Sequence, residues 1–145
     1  MKKTAMAVIA LLVGFGGLAG CATTASVVHD KDDGTSQVYQ VNSTQAWEIA
    51  KTVFRWQGGE DIEEHRPKGY LLARSGATWV PWGSMMVAWI DQVDGKKTKV
   101  TVVTKRRIGD VGTNSSVEEF HKRFADAVKI VKAGKRLPAE PPKHK

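Results

Sequence analysis

From residue 36 onward the apolar positions change period several times, and each change marks an element. Val38, Tyr39 and Val41 within residues 36–42 predict a strand. Ala46, Trp47, Ala50, Val53 and Phe54 then recur at helical spacing behind Asn42 or Ser43, either of which can cap a helix. Gly58-Gly59 ends that helix. Residues 61–65 and 70–75 flank Arg66-Pro67-Lys68-Gly69, which has Pro and Gly where a type I turn uses them, so a hairpin is expected. Residues 84–93 are apolar on both faces, with Met85, Val87 and Trp89 against Met86, Ala88 and Ile90, which predicts a central or covered strand. Asp94-Gly95 turns the chain into residues 98–107, where Val100, Val102 and Thr104 alternate with Lys99, Thr101 and Val103. Ser116-Val-Glu-Glu119 spells a capping box ahead of Val117, Phe120, His121, Phe124, Val128 and Val131, and Gly134 closes that helix. The order β-α-β-β-β-β-α predicts an α+β fold: an antiparallel sheet of four to five strands with two helices packed on one face.

Composition shifts on both sides of this pattern. Residues 22–35 are polar and include Asp30, Asp32, Asp33 and Gly34, which reads as a flexible tether. The Asp-x-Asp-Asp-Gly spelling lacks the later bidentate glutamate of a calcium loop. Residues 137–145 are Pro-rich and charged, and residues 134–145 are expected to form a disordered tail. About 98 residues, 36–133, remain as one α+β domain, long enough to bury around two-thirds of their unfolded surface.

Ahead of the tether, Lys2 and Lys3 precede an apolar run over residues 4–18, and Ala19-Gly20 are small residues of the kind a signal peptidase reads. The run is interrupted by Gly14, Gly16 and Gly17 and falls short of the about 20 apolar residues of a spanning helix. One reading is an ordinary secretory signal that leaves Cys21 a free thiol. The spelling Leu18-Ala19-Gly20-Cys21, however, resembles the lipobox of bacterial lipoproteins. That resemblance implies a signal peptide over residues 1–20, cleavage between Gly20 and Cys21, and a diacylglyceryl thioether on the Cys21 sulfur. It also implies acylation of the new amine by a chain such as palmitate, with residues 21–35 as the lipidated tether. Two or more acyl chains, at about 0.8 kcal/mol per buried CH₂, hold a protein on a bilayer almost permanently. By the same analogy, Ala22 after the cysteine implies an outer-membrane anchor facing the periplasm.

Charge and cysteine content narrow the classes further. The 145 residues carry a formal charge of +7, and removing residues 1–20 takes away Lys2 and Lys3, leaving 125 residues at +5. Cys21 is the single cysteine, so the chain builds no internal disulfide and no cysteine-based metal site. Lys96, Lys97 and Lys99 cluster at one turn, and Lys105, Arg106 and Arg107 end a strand. Lys122, Arg123, Lys129, Lys132, Lys135 and Arg136 follow the last helix and its exit. Such a basic face suits an anionic lipid, an anionic glycan or an acidic envelope protein, or serves only solubility. Nucleic acid is excluded by the compartment that the lipobox implies.

Catalytic chemistry finds little support in these residues. No Gly-x-Ser-x-Gly occurs, and Cys21 is expected to be consumed by lipid. His121 lies in the helical stripe of Phe120 and Phe124, as a helix-flank histidine. Glu63 and His65 share one face of a strand, which is half of a metal site or an ion pair on a solvated edge. Glu60, Asp61, Glu63 and Glu64 cluster, but glycosidase-like work needs carboxylates facing across a cleft. We therefore expect no enzyme, no metal and no cofactor. Trp79 and Trp82, in Thr78-Trp-Val-Pro-Trp-Gly-Ser84, lie where Pro81 and Gly83 prevent regular structure, and form either a lid on the core or a partner-binding edge.

The run Val41-Asn-Ser-Thr-Gln-Ala-Trp47, the segment Gly69-Tyr-Leu-Leu-Ala73, and Asp94-Gly95 before a Val-rich strand are similar to small uncharacterised bacterial lipoproteins. They also resemble the helix-and-sheet modules of lipoprotein subunits in envelope assembly machines. This resemblance implies a fold and no reaction. The expected function is a membrane-anchored periplasmic binding or scaffolding lipoprotein without catalytic activity. The alternative is a carrier of a small apolar or lipid ligand between the sheet and the C-terminal helix, lined by Trp89, Phe120 and Phe124. A third class is a hydrolase of envelope glycans resting on Glu63 and His65.

Overall fold

A computed structural model describes residues 30–75, 84–106 and 114–143. Its elements are β1 (Thr35–Tyr39), α1 (Ser43–Trp56), β2 (Gly59–His65), β3 (Tyr70–Ser75), β4 (Ser84–Asp94), β5 (Lys97–Arg106) and α2 (Asn114–Lys132). The strands form one sheet in the order β1-β5-β4-β3-β2, every pair antiparallel. This is the α+β architecture that the pattern predicts, with five strands. β1 and β2 are consecutive in sequence but lie at opposite edges, so α1 carries the chain across the width of the sheet.

Local signals explain the element ends. Asn42 Oδ1 accepts from the Gln45 amide at 2.8 Å while the Asn42 amide donates to Gln45 Oε1 at 3.1 Å, a reciprocal capping box. The β2–β3 turn closes through Gly69, whose φ of 75° is the left-handed region that favours glycine. Its carbonyl accepts from the Ile90 amide at 2.8 Å, pinning the hairpin to β4. α2 starts at Asn114, so Ser116 lies inside the first turn instead of capping it. At its other end the Lys135 amide donates to the Ile130 carbonyl and the Gly134 amide to the Val131 carbonyl, a Schellman closure.

Alternation along the central strands sorts their side chains into two cores. On one face Leu71, Ala73, Met86, Ala88, Ile90, Val100 and Val102 pack beneath α1 and α2. Phe54 and Phe120 meet there at 5.2 Å between ring centroids, and Phe124 meets Tyr39 at 4.4 Å. On the other face Tyr70, Leu72, Val87, Trp89 and Val103 form a separate buried cluster with Met85. Both helices therefore sit on one face, as expected, and β4 is buried on both.

Two boundaries differ from expectation. Residues 30–34, inside the expected tether, already belong to the folded body: Lys31 pairs with Asp91 at 2.8 Å and Asp30 pairs with Lys105, strapping them onto the second face. A Cβ on Gly34 would meet Thr101 and Val103 at 2.7 and 2.9 Å, so only glycine lets this strap lie so close. The C-terminal tail, expected to be disordered, docks instead. Leu137 packs on the main core, and the Trp56 indole donates to the Pro138 carbonyl at 3.0 Å. Proline removes backbone donors but leaves carbonyls free to accept.

Truncating Phe124, which is fully buried between α2 and β1, is expected to cost about 3–5 kcal/mol. Exposed Lys122 should tolerate alanine within about 0.5 kcal/mol. Urea unfolding of Phe124→Ala and Lys122→Ala measures both.

Candidate functional site

Register partners lay three rows of side chains across the sheet face opposite the helices. His65, Tyr70, Trp89, Thr101 and Ser36 form one row; Glu63, Leu72, Val87 and Val103 the next; Asp61, Arg74, Met85 and Lys105 the third. The Tyr70 ring stacks on His65 at 4.6 Å and meets Trp89 at 6.4 Å. Arg74 bridges Asp61 at 2.9 Å and Glu63 at 2.5 Å, and the second Glu63 oxygen bonds His65 Nε2 at 3.1 Å. The Arg74 guanidinium, and after it His65, hold the Glu63 carboxyl below the usual carboxylate range. Both Glu63 oxygens are thus engaged. Among the described residues no group of three or more His, Cys, Asp or Glu side chains is placed to hold a metal ion.

The acidic cluster does not converge. Asp61 and Glu63 serve Arg74 on this face. Glu64 points to the helix side, where Lys51 at 3.0 Å and Arg66 at 2.9 Å neutralise it. The strand period of two sends neighbouring carboxylates to opposite faces.

On the helix side, His121 is no flank residue. It is buried and ties α2 to β1. Its Nε2 lies 2.9 Å from the Thr35 carbonyl, which only accepts, so Nε2 carries the proton and Nδ1 accepts from the Tyr39 hydroxyl at 2.7 Å. Burial lowers the His121 pKa from its ordinary value and pushes the Tyr39 hydroxyl up. Both stay neutral, and Phe120 and Phe124 close around them. Sequence reading missed Tyr39 as the partner, although the pairing of a strand tyrosine with the one histidine in a helical apolar stripe was its available signal.

Two clefts border the helix-side elements. One of about 10 Å³, the room of a single water, is bordered by Phe54, Gln57, Ala73 and Met86. Gln57 Oε1 is buried there without a hydrogen-bond partner, while its Nε2 donates to the Ser116 carbonyl. A groove of about 240 Å³ separates Glu119, Arg123 and Asp126 of α2 from residues 140–143, where Pro141 and Pro142 line it beside the charged side chains. The lining expected for an apolar ligand does not assemble. Trp89 belongs to the second face, Phe120 and Phe124 to the first, and the sheet stands between them.

Cys21 and Gly20, the expected lipidation and cleavage residues, and Trp79 and Trp82, the expected contact residues, lie outside the described residues, as does Arg107. The remaining basic positions divide. Lys105 is spent on Asp30, Arg123 on Glu119 and the Trp56 carbonyl, and Lys129 on Asp126. Lys96, Lys97, Lys122, Lys132, Lys135 and Arg136 are exposed.

No protein-family model and no curated protein matches this chain. Similar solved structures include the di-domain aromatase/cyclase StfQ of the steffimycin biosynthetic pathway, at 10% identity and a TM-score of 0.38. That match covers 66% of this chain and 43% of StfQ, so this chain spans less than half of that protein. An uncharacterised Bacillus thuringiensis protein matches at 8% identity and a TM-score of 0.37, over 66% of this chain and 93% of that one. The Zhui aromatase/cyclase of Streptomyces sp. R1128 matches at 12% identity and a TM-score of 0.29, over 70% and 87% respectively. The expectation that the chain is no enzyme is corrected by these findings. Two of the similar structures named are described as aromatase/cyclases, and the lack of a catalytic motif in this chain does not exclude a reaction.

The His121 shift has a sign. Where the folded pKa is depressed below 6.5, the unfolded chain binds more protons just under that pH. Stability should therefore be full above pH 6.5, fall as the pH drops below it, and level off past the folded-state pKa. His121→Gln should flatten that slope in urea titrations run at several pH values. An unchanged slope would show that another group carries it.

Proposed function

We propose that this chain is a lipid-anchored binding or scaffolding module of the bacterial envelope, held on the outer membrane through Cys21 and facing the periplasm. One observation carries the reading: the lipobox-like Leu18-Ala19-Gly20-Cys21 stands only nine residues before Asp30, which is strapped to the sheet through Lys105. Nine residues reach at most about 30 Å when fully extended, and about 17 Å on average as a flexible chain. An acylated Cys21 would hold the domain near the headgroups, where each free cation interacts with an anionic surface by about 1 kcal/mol. An acidic envelope protein or an anionic glycan would suit the same exposed lysines.

The close-packed core beneath the helices favours contacts made at the surface. Trp79 and Trp82, in the connection between β3 and β4, are the favoured contact residues, because tryptophan combines large apolar area with a wet N–H.

Cys21→Ser should move the protein from the membrane fraction to the soluble fraction and abolish incorporation of labelled palmitate. Continued membrane association without label would remove the anchor from this account. Photo-crosslinkers at positions 79 and 82, at native abundance, should give a discrete protein adduct in cells. Probes that yield none and are shielded from water would make the loop a core lid.

A further inference from the structure

The C-terminal segment Leu137-Pro-Ala-Glu-Pro-Pro-Lys143 is seated on the helices although it has no helix or strand of its own. Beyond Lys135 no backbone–backbone hydrogen bond joins it to the rest of the described chain. Leu137 packs on the main core, and Pro138 offers its carbonyl to the Trp56 indole N–H at 3.0 Å. The chain bends at residues 139 and 140. Pro141 and Pro142 then line the groove of about 240 Å³ beside Glu119, Arg123 and Asp126. Leu137, Pro141 and Pro142 are half-buried, whereas Pro138, Ala139, Glu140 and Lys143 are exposed.

The receiving surface is built by the helices themselves. Glu119, Arg123 and Asp126 lie at i, i+4 and i+7, on one stripe of α2. Arg123 bonds both Glu119, at 2.7 Å, and the Trp56 carbonyl, which ties the end of α1 to that stripe. Trp56 is buried, and a buried indole N–H needs an acceptor. Aromatic-lined grooves are the surfaces that bind extended proline-rich peptides, and here the tryptophan donates to a carbonyl of such a segment. Each proline fixes its own φ and keeps the residue before it extended, so the segment loses little conformational freedom on docking.

We infer that this groove is a peptide-binding site for a proline-rich segment of a partner protein, and that the chain's own tail fills it in cis as a displaceable occupant. The partner segment fits by three features. It has a leucine-sized residue before its first proline, a carbonyl presented to Trp56, and a proline pair followed by a cation, since Lys143 borders the same groove as Glu119 and Asp126. The tail is terminal and joins no backbone ladder, so it can leave with the sheet and helices in place. Tethered beside its site it acts at an effective concentration on the order of millimolar, against which a partner competes. The inference rests on the binding-module reading and makes no use of the lipid anchor or of Trp79 and Trp82.

Fluorescence anisotropy of a labelled synthetic peptide of residues 136–143 tests this, on the full chain and on one ending at Arg136, both in detergent micelles. The shortened chain should keep the wild-type circular dichroism and bind the peptide saturably. The full chain should bind it at least several-fold more weakly, because its own tail competes. In the shortened chain Trp56→Phe, which keeps a ring and removes the N–H, should weaken binding about 3–10-fold. Leu137→Ser in the peptide, which leaves the protein untouched, should weaken it as well. A shortened chain that unfolds makes the tail a fixed part of the fold and overturns the site. So does a folded shortened chain that ignores the peptide, equal binding by both chains, or indifference to Trp56→Phe and Leu137→Ser. The Cys21 and photo-crosslinking outcomes are read at other residues, so the anchor and this site can each fail alone.

Discussion

A strand that is apolar on both faces cannot leave either face in water, and β4 imposes that condition on the whole domain. Met86, Ala88 and Ile90 require a cover on one side, and Val87 and Trp89 require burial on the other. Fully burying a valine- or leucine-sized side chain contributes about 1.5–3 kcal/mol. The rows through Leu71, Ala88 and Val102 and through Leu72, Val87 and Val103 therefore outweigh any exposed ion pair in the structure. β4 pairs with β3 and β5, which continue those rows, and the edges β1 and β2 end them with more polar residues.

The two covers are built by different means. α1 and α2 supply long apolar stripes, joined by Phe54, Phe120 and Phe124. The opposite face relies on aromatic contacts of Tyr70 with His65 and Trp89, and on a short strap whose Gly34 lies against Thr101 and Val103. Ion pairs of Asp30 and Lys31 hold that strap at its charged end, so the chain enters the domain on the face away from the helices. A single polar tie, Tyr39–His121–Thr35, orients α2 over β1. Its groups are each satisfied, which is the condition under which buried polar atoms are tolerated.

Most of the fold was legible, because periodicity reports burial directly. The two-sided run of β4, the helical spacing in α1 and the turn glycines Gly69 and Gly134 each carry a local cause that the structure reproduces. Misreadings arose where a polar segment is held by distant partners. Asp30 and Lys31 read as tether because Lys105 and Asp91 are 75 and 60 residues away in sequence. The tail read as disordered because a proline carbonyl gives no hint of the tryptophan 82 residues away that binds it.

Sequence by itself determined the number and kind of elements and the two-faced character of the central strands, since these rest on local composition and period. Only the tertiary structure decided which face each aromatic serves, separating Trp89 from Phe120 and Phe124 by the thickness of the sheet. It alone decided that Glu63 spends its oxygens on Arg74 and His65, and that His121 is buried against Tyr39 and the Thr35 carbonyl of the β1 edge. The physical reason is common to all of these. Strand order and register bring together residues that no local pattern relates, and partners found across the sheet determine what a polar side chain can do.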